Sequence, residues 1–460
     1  MTNYASFLAA KAVRAPQRGL VDMPAMAPHL FPFQRHCAEF ALRAGAAGIF
    51  LDTGLGKTEI QLEWCRHAAK ATNGRALILT PLAVAGQTKR RADRWGYPAR
   101  IIREPSDVGD GINICNYDRL DKLDPDAFGA VSLDEASILK SFGGKTSRAL
   151  IAAFAGHRFR LAATATPAPN DHMELGQYSD FLGVMAANEM LSRFFLNDTS
   201  KASQEWRLKG HAVEPFWDWM SSWSRMAEKP SDLGDSDEGF ILPPVVVQSH
   251  RSREHGAVKG GEGLFATVAM SATSMFDVKR QTSASRAEAA GALVAAEPQE
   301  AWILWCDTND EADALKAAIP SAIEIRGSQS ADKKEEQIEA FATGQAKHLI
   351  GKPGMIGFGL DWSHCARMAF VGRTYSYETY YQAVRRCWRF GQKRRVHAHL
   401  IVAEGEAEIG RVIDRKANGH AEMKQAMRAA MKRNMGTKTT VKAAYNPTHK
   451  GRAPSWLSAV

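Results

Sequence analysis

Several common devices are missing from this chain. Its six cysteines, at positions 37, 65, 115, 306, 365 and 387, include no C-x-x-C pair. A zinc-binding knuckle and a disulfide framework are therefore both unsupported, and the cysteines read as small apolar residues. No apolar run approaches the ~18 residues of a membrane-spanning helix. The opening stretch, MTNYASFLAAKAVRAPQRG, lacks the long apolar centre of a secretion signal, so an intracellular, cytoplasmic location is expected. Most of the chain also lacks an excess of either charge. The whole sequence carries 59 Lys/Arg and 50 Asp/Glu, and residues 411–460 hold eleven of the first and two of the second. That stretch accounts for the entire net charge of +9, and residues 1–410 balance. A basic extension of this kind is expected to face nucleic acid. With 460 residues, 45% of them apolar, the chain has room for two or three domains.

Chemistry is concentrated in short stretches. Residues 48–59 read GIFLDTGLGKTE. Gly48–Leu51 predicts a buried strand, and Thr58–Ala71 predicts a helix because Ile60, Trp64 and Ala68 recur at helical spacing. Between them, Thr53, Gly54, Leu55 and Gly56 form a turn whose glycines let backbone N–H groups curl around phosphate oxygens. The N-terminus of the following helix already favours an anion there. Lys57 would then reach the β/γ-phosphates of a nucleotide and the Thr58 hydroxyl would ligate Mg²⁺. The strict pattern G-x-x-x-x-G-K-[ST] asks for glycine where Leu51 stands, so the loop departs from it at one position. Downstream, AVSLDEAS (130–137) is an apolar strand ending in two acids. Strand ends are where open α/β sheets place ligands. Asp134 suits a Mg²⁺ ligand acting through water, and Glu135 a base that orients and deprotonates an attacking water.

With DTGLGKT and LDEAS in this order, the chain resembles the superfamily 2 helicase-like ATPases, and further stretches narrow the resemblance to the Swi/Snf type. LFPFQRHCAEFAL (30–42) is similar to the family's entry segment, whose glutamine recognises adenine, here Gln34. LILTPLAVAGQTKRRADRWG (77–96), ICNYDRL (114–120) and RLAATATPAPNDHMELGQYSDFL (160–182) resemble the motifs that follow. In the second half, IRGSQSADKKEEQIEAFATG (325–344), GFGLDWSHCARMAFVGR (357–373) and QAVRRCWRFGQKRRVHAHLIVAEGEAE (382–408) continue the order, the last fitting Q-A-x-x-R-x-x-R-x-G-Q closely. The resemblance spans roughly residues 28–410. It implies ATP and Mg²⁺ as cofactors, with Gly359 and Gln382 beside the nucleotide. It also implies nucleic-acid contacts at Thr80, Gln87, Lys89, Thr164, Thr166, Asn170 and Gly357.

The arginines of 382–392 can also be read without the family. Arg386 and Arg389 lie three apart and project from one helical face, while Arg385 points elsewhere, toward solvent or DNA. Two guanidiniums on one edge can clamp the γ-phosphate of a nucleotide held by the other half of the chain. Three positions depart from the family pattern. Ser137 replaces a histidine, Asp361 an asparagine, and Gly372-Arg373 an acidic residue.

The alternation of strands and helices over 46–182 and again over 298–403 predicts an α/β fold of two RecA-like parallel-sheet domains in tandem. The expected boundaries are 1–27 for an N-terminal extension, 28–190 for the ATP-binding domain, 191–240 for a Trp-rich helical insertion and linker, 241–410 for the second domain and 411–460 for the basic tail. The Trp-rich segment is expected to pack against the motor rather than stack on bases. The whole reads as a monomeric DNA-stimulated ATPase working on double-stranded DNA, in a compact form suited to a bacterium or phage. The alternatives are an RNA or DNA strand-separating helicase, and a nucleotide-gated clamp or loader without sustained hydrolysis.

Overall fold

The computed structural model describes residues 14–81, 84–140, 144–198, 205–252, 279–356, 360–372, 374, 376–402 and 407–435. Gly357, Gly359, Arg373 and the tail beyond residue 435 lie outside the described residues.

Two RecA-like α/β lobes follow one another along the chain. The first contains strands β1 (Ala46–Leu51), β2 (Arg75–Thr80), β3 (Ala99–Ile101), β4 (Gly111–Asn116), β5 (Ala130–Asp134) and β6 (Phe159–Ala163). A separate hairpin pairs β7 (Phe195–Asp198) with β8 (Glu205–Leu208), and β9 (Ser224–Ala227) closes the series. The second lobe contains β10 (Val245–Arg251), β11 (Trp302–Trp305), β12 (Ile323–Ile325), β13 (His348–Gly351), β14 (Arg367–Phe370) and β15 (Val396–Val402). Sheet order is β3-β4-β2-β5-β6-β1-β9 in the first lobe and β10-β15-β14-β11-β13-β12 in the second. Every pairing in both sheets is parallel. Parallel strands buried on both faces read as continuous apolar runs, and β1, AAGIFL, is buried at all of its positions. The helix Lys57–Lys70 packs on this sheet through Ile60, Leu62, Trp64, Cys65 and Ala68, all fully buried. All six cysteines are buried free thiols. No described helix is long and apolar enough to cross a membrane.

Two segments sit differently from their expected places. The Trp-rich segment of 191–240 packs against the first lobe, as expected, but as part of its sheet rather than as an insertion. Its helix Val213–Trp223 runs directly into β9, which pairs with β1 at Gly48↔Ser224 and Phe50↔Met226 and so becomes an edge of the first sheet. Trp219 and Trp223 are fully buried, and the Trp223 ring meets Phe50 edge to face at 6.1 Å. The physical reason is the unpaired side of β1: a four-residue strand with no turn signal before it is invisible in sequence, yet it satisfies that edge.

The basic tail is the second correction, as far as residue 435. Ala407–Met435 is a helix that returns to the first lobe, packing on Val213–Trp223 and β9. Met423, Met427, Ala430 and Met431, an amphipathic stripe, enter the first lobe's core. Three of its cations are matched to acids of that lobe. Lys424 pairs with Glu228 at 3.0 Å, Arg428 with Glu228 at 3.0 Å and Asp232 at 3.3 Å, and Arg433 with Asp218 at 2.7 Å. Part of the positive charge that suggested nucleic acid is thus directed at the protein itself.

Candidate active site

The turn after β1 takes its shape from two glycines. Gly54 and Gly56 have φ of +90° and +76°, where a side chain is strained. Space is as restrictive as conformation. A Cβ on Gly56 would lie 2.1 Å from Gln34 Nε2, and one on Gly54 would lie 2.7 Å from the backbone nitrogen of Phe390 in the second lobe. Gln34 holds the loop by donating Nε2–H to the Leu55 carbonyl at 3.2 Å, while its Oε1 accepts from the Phe31 N–H at 3.0 Å. One amide N–H and one lone pair remain for a ligand. Lys57 Nζ donates to the Leu51 carbonyl at 3.0 Å, and burial lowers its pKa against the pull of Glu135 and Asp134.

The two acids meet the loop from the end of β5. Gln61, one turn into the helix after the loop, donates to Asp134 Oδ1 at 2.9 Å and accepts from Ser132 Oγ at 2.7 Å. Sequence reasoning missed this pair, although Gln61 falls one helical turn after Lys57. Glu135 is the one non-glycine among the described residues with positive φ, at 51°. A backbone held in that region costs of order ~1–3 kcal/mol and tends to occur where function demands it. Its buried Oε2 has no hydrogen-bond partner. Burial raises the Glu135 carboxyl above its ordinary range, Lys57 opposing and Asp134 reinforcing the rise. Asp134 is raised as well, by burial, against the Gln61 hydrogen bond and the Lys57 charge.

The second lobe supplies the opposite wall. The helix Tyr377–Val384 ends before the arginines, earlier than a helical reading of 382–392 requires. The next bonds are mixed, i→i−3 from Arg386 N–H to the Ala383 carbonyl at 3.3 Å and from Cys387 to Val384 at 3.2 Å, then i→i−4 from Trp388 to Val384 at 3.1 Å. Arg386 and Arg389 still face one way, since both donate to the Leu360 carbonyl. Both border the cleft together with Lys57, Thr58, Asp134 and Glu135. Arg386 is buried and donates only to neutral acceptors, the Leu360 and Gln382 carbonyls and the Gln382 Oε1. Burial lowers its pKa, and the neighbouring Arg389 adds repulsion. Arg389 donates to the Leu360 carbonyl at 2.7 Å and has Asp361 at 3.5 Å. Asp361 is thus turned toward the cleft and its arginine. A buried guanidinium with no carboxylate in reach leaves room for an anionic ligand.

The cleft is about 340 Å³ and opens onto an aromatic rim. His29 stacks on Trp95 at 4.1 Å, and Phe240 stands between Phe31 at 5.1 Å and Phe390 at 4.8 Å. These rings come from four distant parts of the chain and share no spacing that a sequence pattern could reveal. They suit the face of a purine.

Residues 285–391 match the family described as helicase conserved C-terminal domain. The match lies within the second lobe. Among solved structures it is similar in fold to the Sulfolobus solfataricus SWI2/SNF2 ATPase core in complex with dsDNA. The identity is 16% and the TM-score 0.41, over 90% of this chain and 97% of that one. Curated protein sequences give no match.

The residues expected near nucleotide separate into two groups. Thr53, Gly54, Gly56, Lys57, Thr58 and Gln34 border the cleft, and Leu55 is buried behind it with its carbonyl on Gln34. Gln382 is fully buried and its amide is engaged by Arg386 at 2.8 Å and Thr166 at 3.5 Å, so it orients an arginine rather than reaching the cleft. The expected nucleic-acid contacts need more revision. Thr80, Thr164 and Thr166 are fully buried, because each ends or follows a central strand. Thr166 Oγ1 donates to Glu378 of the second lobe at 3.2 Å. Gln87 borders the interlobe cleft. Lys89 pairs with Asp93 one turn along its own helix at 2.5 Å. Asn170 is exposed and held by Glu174 and Lys416, each at 2.8 Å.

Proposed function

We propose that the chain is a DNA-stimulated ATPase motor of superfamily 2, Swi/Snf type, coupling ATP hydrolysis to movement on duplex DNA. The observation that carries this reading is the composition of the interlobe cleft. A glycine-shaped loop with Lys57, the paired acids Asp134 and Glu135, and the arginines 386 and 389 all border one space. The duplex-DNA and Swi/Snf parts rest on the order of the sequence motifs.

In the proposed reaction, Lys57 and the loop amides hold the β- and γ-phosphates. The donor set fits Mg²⁺, since this ion is bound by one or two carboxylates plus phosphate oxygens and water. Asp134 and the Thr58 hydroxyl would hold it, and when bound it would neutralise charge between the β- and γ-phosphates. Glu135, its free oxygen buried and its basicity raised, orients the attacking water and takes its proton. Arg386 and Arg389 stabilise charge on the transferred phosphoryl group. Because base, lysine and arginines come from two lobes, hydrolysis requires closure, and product release lets the lobes part. A clamp that only senses nucleotide would need neither the strained Glu135 nor the arginine pair.

ATP turnover with and without duplex DNA tests the proposal. Stimulation by duplex and its loss in Lys57→Ala and Glu135→Gln are expected. Stimulation by RNA alone would redirect it to an RNA-dependent enzyme, and turnover unaffected by either substitution would overturn it.

A further inference from the structure

Arg385 stands immediately before the cleft arginines but has a different task. Its side chain crosses to the first lobe and takes hold of the phosphate loop itself. Nη2 pairs with Asp52 Oδ2 at 2.7 Å and donates to the Thr53 carbonyl at 3.1 Å, while Nε donates to Thr53 Oγ1 at 2.5 Å. Both members of the ion pair are buried, Arg385 at 3% and Asp52 at 7% exposure. The other carboxylate oxygen, Oδ1, accepts the Thr53 N–H at 2.7 Å and the Tyr381 hydroxyl, also from the second lobe. Asp52 N–H is fixed to the Ala227 carbonyl of β9 at 2.9 Å, so the loop's first residue is held from both sides. Lys424 of the C-terminal helix extends the network, reaching the Tyr381 hydroxyl at 3.5 Å and Glu228 at 3.0 Å.

We propose that Arg385 is a positioning residue for nucleotide binding, gripping Asp52 and Thr53 from the second lobe so that the phosphate loop holds its binding shape only when the lobes are closed. The inference rests on the nucleotide-cleft reading above and deepens it. A buried ion pair contributes little net stability against an apolar replacement, but it fixes one arrangement, since either partner alone is left desolvated and uncompensated. Here the arrangement fixed is the register between the loop and the arginine turn. Opening the lobes removes three donors from two consecutive loop residues, which frees the Thr53 peptide and the loop N–H groups beyond it. Nucleotide affinity and lobe closure thereby become one linked equilibrium, each favouring the other by the same factor.

The full-length protein tests this with Arg385→Gln, Arg385→Lys, Asp52→Asn and the double variant Asp52→Asn/Arg385→Gln. Two readouts are needed: binding of a fluorescent ATP analogue, and the split between KM and kcat for ATP. Arg385→Gln is expected to weaken analogue binding and raise KM about tenfold, within the ~5–150-fold span of typical coupling, with the smaller change in kcat. Arg385→Lys should recover part of the loss by restoring the charge without the second fork contact. The double variant should be no weaker than the worse single one, since both remove the same contact. Asp52→Asn is nearly isosteric, so it keeps the test alive if Arg385→Gln fails to fold. Unchanged affinity in both single variants, additive losses in the double, or a fall in kcat with KM preserved would each overturn the proposal. If wild-type protein binds the analogue but does not turn ATP over, the motor reading fails while the positioning role is still decided by affinity. If it does not bind, both fall.

Discussion

The arginine turn of the second lobe and the C-terminal helix are both rich in positive charge, yet their circumstances are opposite. Arg386 is buried against neutral acceptors and faces a cleft. Lys424, Arg428 and Arg433 each have an acid of the first lobe within 3.0 Å or less. A cation whose charge is already matched has little left to offer a phosphate, whereas a desolvated one gains most from an anion entering its site. Charge density in the sequence points to the helix, whereas the structure leaves the uncompensated charge at the turn.

The contrast can be sharpened by mutation. The largest effect is expected from Arg386→Ala, which should lower DNA-stimulated kcat by on the order of 10³–10⁵ while leaving the fold in place. A far-ultraviolet circular dichroism spectrum alongside the assay separates chemistry from unfolding. Next comes Met427→Ala. This side chain is fully buried in the first lobe's core, and truncation there should cost ~2–5 kcal/mol in denaturant unfolding. That outcome would establish the helix as part of the lobe, and a loss well below 1 kcal/mol would separate them again.

A smaller effect concerns acid stability. Burial alone would raise the Asp52 carboxyl, but the Arg385 and Lys424 charges, the Tyr381 hydroxyl and the Thr53 N–H bring it from 3.8 down to about 2. A carboxyl lower in the folded than in the unfolded state contributes stability that is complete above the unfolded value and fades as pH falls through the folded one. Roughly 2 kcal/mol should therefore disappear between about pH 4 and pH 2 in wild type and be absent from that window in Asp52→Asn. The smallest change belongs to Arg433→Ala. Its pair with Asp218 is half exposed, so it should cost less than ~1 kcal/mol and leave ATP turnover unaltered.

The site was legible where chemistry is local. Lys57 and Thr58 sit one and two residues past Gly56, and Asp134 and Glu135 end an apolar strand. Such relations follow from the backbone, so a short window contains them. Arg386 and Arg389 were legible for the same reason: even though the helix stops at Val384, both guanidiniums reach the one Leu360 carbonyl. Thr80, Thr164 and Thr166 were expected at nucleic acid from motif order alone, and their burial at and just past the ends of central strands could not be seen from those residues. Gln382 and Gln87 exchanged roles with respect to the cleft for the same reason.

By itself the sequence determined the alternation of strands and helices, the loop that curls around an anion, the acids at a strand end and the arginine spacing. Each of these depends on neighbours within a turn or two of the chain. Tertiary structure decided which charges are cancelled and which are not. It seated Ser224–Ala227 beside β1, brought Met423 and Met427 into a core some two hundred residues upstream, and set Arg385 against Asp52 across the lobes. Those outcomes depend on which buried surfaces and desolvated charges meet at long range, and no spacing along the chain encodes that.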